Sequence, residues 1–236
     1  MKKITVTVLA ITLSLGVFAQ QNGVFSFGAR VGMGIGFSEP REFMSFANEQ
    51  FYAGDIASMT HNSEVNFNVA LYGNFAFGNF FSLQTELNFM IYQGYDMRLR
   101  FSQMGMLPME WTANADLSYF SLDIPLLAKI NFLGSRDAQF GLLVGPHASI
   151  FLGRAEFWRE YGFDGTETYF DIDNSAVFGL TAGLFCRIPV GPGRIVADFR
   201  FVHDFDALRA TTMLNNRFDI LQRNALVLSL GYEISF

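Results

Sequence analysis

The chain has 236 residues, half of them hydrophobic and 28 of them Phe, with 16 Lys and Arg against 22 Asp and Glu for a formal charge of −6. The acidic balance excludes nucleic acid as an expected partner, because phosphate binding needs clustered cations. The single cysteine, Cys186, excludes an internal disulfide, and beyond the N-terminal segment no apolar run reaches the length of a transmembrane helix.

The first residues have the pattern of a secretory signal peptide. Met1-Lys2-Lys3 is charged, Ile4 to Val17 is apolar, and Val17-Phe18-Ala19 is a small-residue cleavage site before Gln20. The expected division is therefore a signal peptide at 1–19, cleaved near Ala19, and one mature domain at 20–236. Loss of Lys2 and Lys3 leaves 14 basic against 22 acidic residues, or −8.

From Val24 to Phe37, Phe25, Phe27, Ala29, Val31, Met33, Ile35 and Phe37 alternate with Ser26, Gly28, Arg30, Gly32, Gly34 and Gly36. Period two places these sets on opposite faces of a strand, and no helix could separate them. The same alternation recurs near 65–77, 80–94, 118–132, 138–153, 175–190 and 194–206. It ends with Leu226, Leu228, Leu230, Tyr232, Ile234 and Phe236. Eight segments, each long enough to cross a bilayer at the usual tilt, predict an all-β, up-and-down antiparallel barrel. Gly78-Asn79, Leu133 to Asp137 and Gly191-Pro192-Gly193 read as short turns. Ser38 to Glu64, Tyr95 to Leu117, Arg154 to Asn174 and Ala207 to Arg223 read as long loops, expected to face outward while the turns and both termini face the periplasm. Pro125 and Pro146 fall inside strands, where bulges or local breaks are expected.

The minor face decides which side is inside. By parity it carries Arg30, Glu86, Asp123, Lys129, Arg187, Asp198, Arg200 and Glu233. The other face, with Phe67, Phe75, Phe89, Phe120, Phe140, Phe178 and Phe199, is too bulky for the interior of an eight-stranded barrel. The charged face is therefore expected to line a largely plugged lumen as a structural ion network, and the apolar face to meet lipid. Aromatic girdles are expected at Phe25, Phe77, Phe80, Phe132, Tyr232 and Phe236 on the periplasmic rim, and at Phe37, Tyr92, Tyr119, Phe151 and Phe205 on the other.

The segment Tyr119-Phe-Ser-Leu-Asp-Ile-Pro-Leu-Leu-Ala-Lys-Ile-Asn-Phe132 resembles the aromatic-x-Ile-Pro-Leu-Leu-x-Lys strand of the PorT-like outer-membrane β-barrel domains of Bacteroidetes and related bacteria. The resemblance implies a porin-like outer-membrane barrel, makes Pro125 a feature of the family, and implies fold and location more than activity. Members range from adhesins to secretion-linked factors. Ala225 to Phe236 also looks like the C-terminal signal read by the barrel-assembly machinery, with Tyr232 and Phe236 as its aromatic positions.

No residue set predicts catalysis, a cofactor or a metal. His203 and Asp204 are sequence neighbours and so point to opposite faces of a strand; Asp164, Glu167, Asp171, Asp173 and Asn174 lack a complete calcium-loop spacing; His61 and His147 stand apart in the sequence. Gly32-x-Gly34-x-Gly36 opens no helix. Phe43, Phe46, Phe51, Tyr52, Trp111, Phe157, Trp158, Tyr161 and Phe163 are the loop aromatics available for contact, foremost among them Phe46, Tyr52, Trp111, Trp158 and Tyr161. The expected partners are outer-membrane lipid, the assembly machinery and an extracellular or periplasmic protein; the alternatives are a small-solute channel and, third, a rim enzyme. Deleting Phe236 should leave export intact and impair assembly, measured as loss of the outer-membrane form with retention of the processed chain.

Overall fold

The computed structural model describes residues 24–37, 39–40, 56–61, 63–102, 110–134, 138–161, 164–172, 176–211 and 217–236. Every regular element among them is a strand. Eight long strands form the wall: β1 (Val24–Gly36), β2 (Glu64–Phe77), β3 (Phe81–Ser102), β4 (Glu110–Gly134), β5 (Gln139–Tyr161), β6 (Ala176–Val190), β7 (Gly193–Asp204) and β8 (Asn224–Ser235). Each pairs antiparallel with its neighbours in sequence. β8 then returns to β1 in a register from Ser26–Ser235 to Gly36–Ala225, which closes the barrel. Closure leaves no free edge within the wall, so the strand backbone can satisfy its hydrogen bonds without water.

Burial alternates as the sequence pattern requires. Along β2, Asn66, Asn68, Ala70, Tyr72 and Asn74 are buried, while Val65, Phe67, Val69 and Leu71 are exposed. The outward set continues around the barrel through Phe89, Phe120, Leu142, Phe178, Leu184, Phe199, Leu228 and Leu230. An exposed apolar surface encircling every strand is what a lipid-facing band requires and what a soluble surface would not sustain.

The two ends differ. At one, β2 and β3 are joined through Gly78 (φ 87°) and β6 and β7 through Gly191 (φ 60°); left-handed backbone at these corners favours glycine. At the other end the wall continues. The predicted loop Tyr95 to Leu117 is largely hairpin, with Tyr95–Leu117 through Ser102–Glu110 paired. In the predicted loop Arg154 to Asn174, Arg154–Tyr161 pairs with Asp164–Asp171. Those loop assignments are corrected: the backbone ladders continue through both segments, so the strands extend beyond the spans predicted from the sequence. Leu208–Thr211 then pairs with Asp164–Ile172 and with Arg217–Gln222, the latter reaches Glu39–Pro40, and Ile56–His61 pairs with β3.

The prolines produce local breaks without bulges. The β3–β4 ladder stops at Thr85–Leu126 and resumes at Asn88–Asp123 in the same register. On the β5 side it passes from Pro125–His147 to Ala128–Val144, again unshifted, with Pro146 in the gap. The register shifts in this wall instead lie between Tyr92 and Tyr95 and between Asn131 and Leu133.

The girdle reading needs one correction. Phe25, Phe77, Phe80, Phe132, Tyr232 and Phe236 are exposed at the short-turn end, and Phe37 and Phe205 at the other, but Tyr92, Tyr119 and Phe151 are buried. They share parity with Glu86, Asp123 and His147 and therefore point into the lumen.

Space between neighbouring strands is tight at the glycines: a Cβ on Gly145 would run into the Leu126 carbonyl oxygen. Gly145→Val should therefore prevent the compact, heat-modifiable form seen on unboiled gels. Leu228→Ile, on the exposed face, should leave it unchanged.

Candidate functional site: the charged interior

All eight charged residues assigned by parity to the inner face are buried, none more than 4% exposed. They fall into three groups along the barrel, with Gln84 linking Lys129 to Glu86 of the middle one.

The middle layer is a closed quartet. Arg30 of β1 reaches Glu86 of β3 at 2.6 Å and Asp198 of β7 at 3.1 Å. Arg200 of β7 reaches the same Glu86 at 2.9 Å with each of two guanidinium nitrogens, and Asp198 at 2.7 Å. Ser229 accepts from Arg30 at 3.0 Å, and the Gln84 amide donates to Glu86. β3 and β7 are four places apart in a ring of eight, so the Glu86–Arg200 pair crosses the full width of the lumen. Two cations and two carboxylates balance, which is the condition under which ions tolerate burial.

Nearer the long-loop end a second cluster centres on Arg223, immediately before β8. One of its terminal nitrogens contacts Asp123 at 3.0 Å, Ser121 at 3.1 Å and Tyr92 at 3.2 Å; the other contacts Ser149 at 2.6 Å and Asp204 at 2.8 Å. It too spans the barrel, since β8 and β4 are diametrically opposed. Its guanidinium lies 5.2 Å from the Phe151 ring, and the Tyr92 and Tyr119 rings stack with centroids 4.5 Å apart. Tyr119 donates to Glu64 at 3.1 Å.

His147 adjoins this cluster, with Nε2 at 2.7 Å from Asp204 and Nδ1 at 2.9 Å from Thr181. The order hydroxyl, imidazole, carboxylate is that of a nucleophilic relay. Thr181 is only 4% exposed, however, and the same Asp204 oxygen is held by Arg223. Thr181, His147 and Asp204 form a buried hydrogen-bond chain that ends on the Arg223 guanidinium. His203, by contrast, turns away from Asp204 and meets Asn224 at 2.7 Å. No group of three or more metal-ligating side chains occurs among the described residues.

The third layer lies toward the short turns. Lys129 donates to Gln84 at 2.7 Å and sits 4.2 Å over the Phe185 ring. Arg187 and Arg194 both face Glu233, at 3.6 and 3.4 Å.

Sequence reasoning leaves Arg223, Asp204 and His147 out of the interior network. Arg223 had been placed at the end of a loop, yet it shares odd parity with Val227, Ser229 and Glu233, as Asp204 shares even parity with Asp198 and Arg200. Asp204 and His147 lie inside the predicted segments 194–206 and 138–153, where parity already places both inward, whereas Arg223 is reached only by extending the last strand by one residue. Asp123 consequently pairs with Arg223 and not with the other seven residues. Of the loop aromatics, Phe43, Phe46, Phe51, Tyr52 and Phe163 lie outside the described residues. Trp111, Phe157, Trp158 and Tyr161 lie on strands for which the backbone alone is described, as do Asp164, Glu167 and Asp171; Asp173 and Asn174 lie outside the described residues.

A closed antiparallel barrel with an apolar exterior and an ion-paired lumen defines a membrane-spanning β-barrel. Residues 18–207 match the family described as outer membrane protein beta-barrel domain. The chain belongs to that family, and its place is the outer membrane. No curated protein matches the sequence. Similar solved structures include Neisserial surface protein A, 11% identical, covering 92% of this chain and 100% of that one with a TM-score of 0.43. The outer membrane protein AlkL is 15% identical over 91% and 90% with a TM-score of 0.46, and OprG from Pseudomonas aeruginosa is 10% identical over 92% and 98% with a TM-score of 0.44.

Removing one partner of a buried pair leaves the other charge uncompensated. Arg200→Ala and Arg223→Ala should each lower unfolding stability by about 3–5 kcal/mol in urea titrations of the refolded protein, with Arg223 the sharper case because Glu86 and Asp198 still face Arg30 when Arg200 is lost, whereas Asp123 and Asp204 share Arg223 as their arginine.

Proposed function

We propose that the protein is an interaction barrel, a scaffold with a plugged lumen that presents its long-loop end to a partner outside the cell. One observation carries this reading: the Glu86–Arg200 and Arg223–Asp123 pairs each cross the lumen from opposite strands. Ions held this way block a continuous aqueous path, whereas a channel needs its lining charges to stand back from the axis. The strand extensions favour the same reading, since they give that end a framework whose backbone carries Trp111, Trp158 and Tyr161; Phe46 and Tyr52 lie outside the described residues.

In this reading residues 1–19 direct export and are removed, the termini and short turns face the periplasm, and Tyr232 and Phe236 serve assembly. The chemistry of the lumen is structural, without turnover or a cofactor.

Planar-bilayer recording on the refolded protein tests the proposal. The expected result is no steady conductance, with rare small openings appearing in Arg200→Ala or Arg223→Ala. Large stable openings in the unmodified protein would replace the interaction barrel by a small-solute channel.

A further inference from the structure

We propose that the short-turn mouth of the barrel is a binding site for a small oxyanion of phosphate or carboxylate type. A polar pocket opens there, lined by Ser26, Asn74, Ser82, Asn131, Arg187 and Arg194. Arg187 is 3% exposed, yet its Nε and one terminal nitrogen, Nη2, have no hydrogen-bond partner among the described residues. Those two atoms form the side edge of the guanidinium, the fork that binds a carboxylate or phosphate through two parallel N–H···O bonds. Glu233 approaches Nη2 only to 3.6 Å, and its other oxygen is shared with Arg194 at 3.4 Å. The Ser82 hydroxyl, buried in the same wall, is likewise without a partner and free to donate.

Charge balance points the same way. Lys129 sits directly across from Ser82 in the β3–β4 register and gives its hydrogen bond to the neutral Gln84. Among the described residues this layer therefore holds two guanidinium cations, Arg187 and Arg194, and the Lys129 amine against one carboxylate, Glu233. The middle layer holds two against two. Uncompensated charge in a low-dielectric interior is costly, and closing the gap to Glu233 would still leave Nε unpaired and the layer positive. An anion entering from the mouth would complete the Arg187 fork and reach the half-exposed Arg194, whose side chain is 35% exposed. The inference does not depend on a partner at the opposite end of the barrel.

Calorimetric titration of the protein refolded in an uncharged maltoside detergent tests it, with inorganic phosphate in one arm and acetate in the other, each against chloride at equal ionic strength. The expected result is saturable binding of one anion per chain in at least one arm. Affinity should fall about tenfold in Arg194→Gln, from loss of one charge-assisted contact, and binding should vanish in Arg187→Gln. Saturation by phosphate alone, or by acetate alone, identifies which of the two chemistries the fork takes. Arg194→Gln and Ser82→Ala leave the crossing ion pairs untouched, so they decide the matter if Arg187→Gln fails to form the heat-modifiable species. The proposal is overturned if neither anion saturates, or if binding is the same in the unmodified protein and in the Arg194→Gln and Ser82→Ala variants.

Discussion

Inside a bilayer every backbone N–H must find an acceptor within the protein, and this requirement shapes the rest of the molecule. A sheet meets it only by closing, which here happens where β8 pairs with β1 through eleven residue pairs. Once the sheet is closed, alternation has only two destinations, lipid and lumen. The apolar face of each strand goes outward because hydrocarbon accepts Phe67, Phe89 or Leu228 at no cost, while a ring of eight strands is too narrow to hold them.

Narrowness then governs the chemistry of the interior. Side chains from opposite walls meet in the middle, so an Arg on β7 can hold a Glu on β3, and Arg223 can hold Asp123. Such pairs contribute little net stability compared with an apolar core of equal volume, because desolvation offsets much of the attraction. Their effect is on specificity: a one-residue slip of any strand would carry its charges into lipid. The balanced quartet thus supports the same register that the backbone ladder sets. Tyr92, Tyr119 and Phe151 fill the space beside Arg223, where a smaller set would leave the guanidinium against a void.

The two ends of the barrel follow different rules. At the short-turn end, glycines with positive φ bring strands together abruptly, and the lumen widens into a polar pocket with a surplus of cations. At the opposite end, the strands continue past the spans predicted from the sequence and gain partners in short rim strands.

Much of this was legible in the residues themselves. Period-two alternation gave the number of strands, their direction and the inward placement of Arg30, Glu86, Lys129, Arg187, Asp198, Arg200 and Glu233, since a fixed side-chain period of two leaves each residue only one face. Alternation also contained, unread, the inward aim of Tyr92, Tyr119 and Phe151 and the strand character of Tyr95 to Ser102. What it could not supply was the pairing across the lumen. Which Glu meets which Arg depends on the stagger between strands four places apart, a quantity accumulated over several registers and two bulges and invisible in any one segment. The sequence by itself therefore determined the wall of this protein and the face of each residue. Only the tertiary structure decided which charges meet and which remain in excess, because distance across a closed ring is set by closure and not by position along the chain.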